Sequence, residues 1–268
     1  MAGHPGSHGL SCRCLHRLGE TCTAAALFTG HIKVDGRLSV QLRGTGALRT
    51  LFAECTAEGT LRGIARYEEP VPLALTPSSF GDGSLLAITI ETLAPGAREP
   101  VRYQGIVSLE ADSLAAAFEN YFEQSEQLPT HILLAATETH TAGLLVQQLP
   151  GQNSEDDAWL RISALFETLE SNELLNTNHE TILWRLFHEE GVKLLDQKEL
   201  QFGCSCSRSR VEDVIRSLGA NEAMASLEQE IATVHCDFCG QAYVFNRENI
   251  ESLFISPNPS APGSSLLQ

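Results

Sequence analysis

Positive charge is scarce in this chain. Lys and Arg number 18 among 268 residues, against 34 Asp and Glu, for a formal net charge of −16. A surface this acidic repels phosphate backbones, so nucleic acid is excluded as a general partner. Long apolar runs are lacking as well. No stretch reaches the roughly 18 apolar residues of a membrane helix, and no membrane partner is expected. Residues 1–19 hold no compact apolar segment of the kind a secretory signal carries. Enzyme fingerprints are missing: there is no nucleophile elbow, Walker loop, HExxH or dinucleotide-binding glycine pattern. Gly44-Thr-Gly46 reads as a turn. The carboxylate pairs Asp156-Asp157 and Glu189-Glu190 read as solvated faces. His31, His131, His140, His179 and His188 are scattered, and none is given a catalytic role. No enzymatic activity is expected. The eight cysteines are too few for a disulfide scaffold in a chain this long, which suits a reducing compartment, the cytoplasm by default.

What the chain does have is Cys204-Ser-Cys206 and, after a helical excursion, Cys236-Asp-Phe-Cys239. Two close pairs can converge on one tetrahedral zinc ion, so Cys204, Cys206, Cys236 and Cys239 are the candidate metal ligands. His235 is a neighbour that could compete, but four sulfurs complete the shell. A closed shell leaves no position for water, which argues against hydrolysis. Cys239 is followed by Gly240 and a strand, the wrong setting for a thioredoxin-like oxidoreductase. Two readings of the cluster stay open. It is a static clip in a zinc-ribbon adaptor, or a redox switch whose thiolates oxidise when the metal leaves. The CxC half is unusual for a plain ribbon and tilts toward the switch.

The periodicities indicate an α+β protein. An antiparallel-rich sheet-and-helix domain is expected over 19–151, an amphipathic helical linker over 152–202 and a small four-cysteine zinc domain over 203–255. Residues 1–18 read as an anomalous leader and 256–268 as a disordered tail. In the first domain, 21–29 reads as a buried helix of small residues. Asp35-Gly36 reads as a hairpin tip, with Ile32 and Val34 on one arm and Leu38, Val40 and Leu42 on the other. Strands are expected over 48–55, 61–67, 85–90, 101–107, 131–136 and 142–149. A helix runs through Leu114, Phe118 and Phe122, with Glu119 and Glu123 on its solvated side. Cys22 and Cys55 read as core thiols. An alternative gathers Cys12, Cys14, Cys22 and His16 into a second metal site. The linker holds two amphipathic helices, through Trp159, Ile162, Leu165 and Phe166 and over 180–189, then a short strand over 192–195. Ser207 caps a helix that Gly219 ends, and 242–245 is a strand. So small a domain draws much of its folding free energy from its metal, about 10–16 kcal/mol in zinc-finger peptides. Oxidising the thiolates removes that contribution. Trp159, Phe166, Leu183, Trp184 and Phe187 in the linker would then become candidate client-binding residues.

The segments 202–208 (Phe-Gly-Cys-Ser-Cys-Ser-Arg) and 236–243 (Cys-Asp-Phe-Cys-Gly-Gln-Ala-Tyr) resemble the redox-switch domain of the thirty-three-kilodalton heat-shock chaperone family (Hsp33). Supporting stretches are Val-Asp-Gly-Arg-Leu-Ser-Val-Gln at 34–41, Arg-Gly-Ile-Ala-Arg at 62–66, Tyr-Phe-Glu-Gln-Ser-Glu-Gln-Leu-Pro at 121–129 and Leu-Trp-Arg-Leu-Phe-His-Glu-Glu at 183–190. The resemblance spans roughly residues 20 to 255. It implies an ATP-independent holdase, cytoplasmic, inactive while reduced with Zn2+ on the four cysteines. Oxidants would release the metal and form disulfides Cys204–Cys206 and Cys236–Cys239. The linker would become disordered and bind unfolded clients, the oxidised form would dimerise, and clients would pass to ATP-driven foldases. Family members carry a strand and helices ahead of the segment matching Glu20 to Val34. Those elements are expected to be missing here, with residues 1–18 matching nothing in the family.

Overall fold

The computed structural model describes residues 12–32, 36–72, 74–92, 100–149, 156–227 and 230–255. It divides into two compact units, 1–203 and 204–268.

The first unit opens with α1 (Cys12–Ile32). Residues 12–18, expected as leader, are its first turns. Leu18, Cys22, Ala25, Phe28 and Thr29 follow helical spacing and turn one side inward. The Gly, His and Ser around Cys14 obscured the start of that stripe. The helix also takes in Ile32, so among the described residues the expected hairpin arm does not precede Gly36; Val34 and Asp35 lie outside them. β1 (Gly36–Arg43) instead sits between β2 (Leu48–Thr56) and β4 (Leu85–Thr92), antiparallel to both. β3 (Thr60–Tyr67) continues from β2 and β5 (Val101–Ser108) from β4, giving the order β5-β4-β1-β2-β3-β8. The last member, β8 (Gln201–Phe202), joins β3 in parallel from far along the chain.

The sheet alternates as a one-sided sheet must. Leu38, Val40, Leu42, Leu51, Ala53, Leu86 and Ile88 are buried on the face that carries α1. The other face holds an ion-pair ladder: Arg37 to Glu91 at 2.6 Å and Arg62 to Glu54 at 2.8 Å. Gly44 and Gly46 form the expected turn. A Cβ on either would strike the Phe80 backbone or its neighbour Ser79, at 2.1 and 2.3 Å.

α2 (Leu114–Tyr121) is capped by Ser113, whose hydroxyl accepts from the Ala116 N–H. Phe28 of α1 meets the rings of Phe118 and Phe122 edge-on at 5.2 and 5.0 Å. Glu119, expected on the solvated side, is turned inward. Its carboxylate accepts from the Ile132 N–H at 2.7 Å, and burial raises its pKa. That hydrogen bond ties α2 to the hairpin of β6 (Thr130–Ala136) and β7 (Thr141–Gln147).

The hairpin has two apolar faces. Ile132 and Leu134 join the main core. Residues of opposite parity, Leu133, Ala135, Ala142 and Leu144, pack with Leu169, Leu174, Ile182 and Leu186. The latter belong to the linker, which forms α3 (Asp156–Glu167), α4 (Ser171–Asn176) and α5 (His179–Phe187). No strand forms over 192–195. This stretch is irregular and exposed, with no strand beside it among the described residues to accept its hydrogen bonds.

The second unit comprises α6 (Arg208–Leu218), α7 (Ala220–Ala225), the hairpin of β9 (Ile231–His235) and β10 (Ala242–Asn246), and α8 (Arg247–Phe254). Ser207 caps α6 and Gly219, at φ 88°, ends it. The core of this unit among the described residues is Ile215, Ala223, Ala232, Phe245 and Ile250. Arg208 lies 4.2 Å over the Phe245 ring and donates to the Val244 carbonyl.

Candidate metal centre

Each cysteine pair sits where the backbone has no strand or helix to serve. Cys204 and Cys206 lie between β8 and the capped start of α6. Cys236 and Cys239 form the turn of the β9–β10 hairpin. That turn is closed by Gly240 N–H donating to the Cys236 carbonyl (2.8 Å) and Cys236 N–H donating to the Gln241 carbonyl (2.9 Å). Gly240 takes φ 72°, the left-handed region that a side chain resists.

The four sulfurs lie within 4.8 Å of one another, the only such cluster of potential ligands among the described residues. Cys204 and Cys236 approach to 3.6 Å, Cys206 and Cys239 to 3.4 Å. Four sulfurs about 2.3 Å from a zinc ion would stand about 3.8 Å apart, so the donor set fits a tetrahedral cation. All-sulfur ligation selects soft or borderline transition metals over magnesium or calcium. Tyr243 adds an outer partner, its hydroxyl donating to Cys206 Sγ at 3.1 Å. That hydrogen bond to sulfur pushes the phenol up to about 12.

Without a cation Cys239 resists ionising. A backbone hydrogen bond from Gln241 favours the Cys239 thiolate. Protons shared with Cys206, Cys236 and Cys204, together with desolvation, outweigh it and push Cys239 up to about 12. A dication at the centre reverses this balance by neutralising the crowd. His235 is exposed and stands outside the cluster.

The second-metal alternative does not assemble. Cys14 and Cys22 are eight residues apart on α1, about 12 Å along its axis, too far to share an ion. Cys14 is buried and its pKa raised by burial. Cys22 is held near 11, first by burial and then by neighbouring Cys55. The side chain of Cys12 lies outside the described residues.

The Hsp33 protein family profile matches residues 6–246. The chain belongs to the Hsp33 family. This is a family of chaperones rather than enzymes, and its match begins within the residues expected to be foreign to it. The 33 kDa chaperonin of Hahella chejuensis is 44% identical over 245 residues, spanning 90% of this chain and 84% of the relative. That of Pseudomonas fluorescens strain Pf0-1 is 39% identical over 253 residues, spanning 91% and 83%. A crystal structure of the 33 kDa chaperonin of Thermotoga maritima shares the fold with a TM-score of 0.77. It is 24% identical and the match covers 91% of this chain and 86% of that one.

The expected client-binding residues are placed differently from one another. Phe166 and Phe187 are buried, Trp159 and Leu183 are half-buried, and Trp184 is 66% exposed. A residue that the sequence reading passed over holds two of them. The His131 ring stacks on Trp159 (5.0 Å, 11°) and Phe166 (5.5 Å, 26°), and its Nε2 lies 2.9 Å from Ser163 Oγ. Its position was the available signal, since it shares strand parity with Leu133 and Ala135. Glu190 is likewise no free acid. It grips Arg161 with both oxygens at 3.1 Å, which lowers its pKa and ties α3 to the end of α5.

Proposed function

We propose that this protein is a redox-regulated, ATP-independent holdase that binds unfolding proteins during oxidative and heat stress. The observation that carries the reading is a compact four-thiol cluster placed directly after a linker whose apolar face is packed on a hairpin. Membership of a chaperone family supports it. The metal is Zn2+, held by Cys204, Cys206, Cys236 and Cys239. When bound it supplies folding free energy to the second unit and no catalysis, since a four-sulfur shell is closed to water.

Oxidation removes two electrons from each cysteine pair. Hydrogen peroxide accepts two electrons and two protons per disulfide formed and leaves as two waters. The pairing is Cys204–Cys206 and Cys236–Cys239. Neighbour pairing separates the two halves of the site. Crosswise pairing of the sulfurs that lie closest, 204 with 236 and 206 with 239, would staple the unit shut. With the site dismantled, α3–α5 leave the β6–β7 hairpin and bare apolar surface on both partners, including Trp159, Phe166, Leu183 and Phe187. Unfolded proteins bind there. The oxidised protein dimerises, works in the cytoplasm, and yields its clients to ATP-driven foldases after reduction.

Peroxide titration at elevated temperature tests the reading, with metal release, disulfide mapping and light scattering by a denaturing client followed together. Metal release, neighbour disulfides and suppressed aggregation should rise in step. Release without client protection would overturn it and favour a static zinc adaptor.

A further inference from the structure

We infer, on the footing of the chaperone reading above, that the outer edge of β3 is a docking site for extended polypeptide, occupied in cis by residues 198–203 until the linker is released. On its outer side β3 meets, among the described residues, only the two-residue β8, with Gln201 and Phe202 opposite Thr60 and Leu61. Gln201 N–H donates to the Gly59 carbonyl (3.0 Å) and Gly203 N–H to the Leu61 carbonyl (3.2 Å). Lys198 Nζ donates to the Ala57 carbonyl at the same end.

The fit is built from both sides. A Cβ on Gly59, at φ 85°, would meet the Glu199 carbonyl oxygen at 2.5 Å. A Cβ on Gly203 would meet Thr60 at 2.8 Å. Apart from the Lys198 side chain, the grip is nevertheless made by backbone. Phe202 is 64% exposed and Gln201 is exposed. An edge that holds a strand without reading its side chains accepts any extended chain, as a holder of varied unfolded proteins requires.

The edge continues past its occupant. Outward residues alternate along a strand, and Glu68 N–H points inward to the Ala47 carbonyl. Gly63 and Ala65, which share the parity of Leu61, therefore direct their N–H and C=O groups outward. Among the described residues no strand pairs with β3 beyond Leu61. Gly203 immediately precedes Cys204, so the occupying strand continues by one peptide bond into the cysteine cluster. Loss of the cluster frees the strand and leaves an uncovered sheet edge, which pairs readily with another chain.

The test uses the full chain and two fluorescein-labelled decapeptides of alternating Val, Thr and Lys. One is unmodified. The other is N-methylated at every second residue, which keeps the side chains and blocks edge pairing. Oxidised wild type should bind the unmodified peptide about tenfold or more tighter, as loss of several backbone hydrogen bonds requires. Reduced, metal-loaded wild type should bind neither. Gly203→Val and Gln201→Pro, which dislodge the strand, should bind the unmodified peptide while still reduced. Ala65→Pro, which deletes an outward N–H, should weaken binding by the oxidised protein. Equal binding of both peptides by oxidised wild type overturns the inference. So does absence of peptide binding by oxidised protein that protects a denaturing client, an outcome that leaves the chaperone reading standing. A dimer whose pairing the peptide cannot displace would assign the edge to a second copy, and also overturns it. Failure of client protection itself strikes the chaperone reading instead.

Discussion

Tyr243 shows how little separates a metal ligand from a bare thiol. Its hydroxyl, 3.1 Å from Cys206, stabilises charge on that sulfur. Tyr243→Phe should lower metal affinity about tenfold, the low end of outer-partner effects, as read by competition with a chromophoric chelator. The half-buried thiol of Cys22 is held in its protonated form. Burial, then neighbouring Cys55, raises Cys22 from its ordinary value of 9.0 to about 11. A folded-state pKa above the unfolded one gives stability that is complete below pH 9 and lost as pH rises toward 11. The loss should reach about 2–3 kcal/mol for the first unit, at about 1.4 kcal/mol per pH unit. Urea unfolding at pH 8 and pH 11 measures it, and Cys22→Ala should flatten the difference. Spacing alone marked the four clustered cysteines, because CxC and CxxC are local patterns. The protonation of Cys22 was invisible there, because it depends on a strand more than thirty positions away.

At the scale of elements, α3–α5 of the linker are held by an aromatic clasp, an ion pair and an apolar seam, and its end by pairing with β3. His131 stacks on Trp159 and Phe166, and Glu190 grips Arg161. His131→Ala should loosen α3 from the hairpin by about 1–3 kcal/mol, from lost ring contacts and the orphaned Ser163 hydroxyl. Hydrogen exchange over 156–190 would detect this as faster exchange at a temperature that leaves 36–67 protected. Trp184→Ala, at an exposed position, should leave exchange unchanged. The amphipathic linker helices were legible from their spacing. Their seat was not, since periodicity shows that a face is apolar without saying what covers it. The hairpin expected at Asp35-Gly36 failed for a related reason: alternation over two residues, Ile32 and Val34, is equally a helix end.

At the scale of the whole molecule, the two units differ in what holds them. The first has a broad core around Phe28, Phe118 and Leu86. The second has five buried side chains among its described residues and the four-cysteine cluster. Chelation of the reduced protein should therefore unfold 204–255 and leave 36–149 intact. Calorimetry should show the lower transition vanish with chelator and the upper one persist. A single transition lost as a whole would mean that the first unit depends on the metal too.

The order of residues by itself determined the α+β class, the long strands of the sheet, the four cysteines that cluster and the family, because each is written in local spacing or in short motifs. Only tertiary structure decided that Glu119 turns inward, that His131 clasps the linker, and that Gln201 and Phe202 complete a sheet begun at residue 36. Those facts join positions far apart in the chain, and long-range contact is settled by packing and by the satisfaction of backbone hydrogen bonds, which no local pattern records.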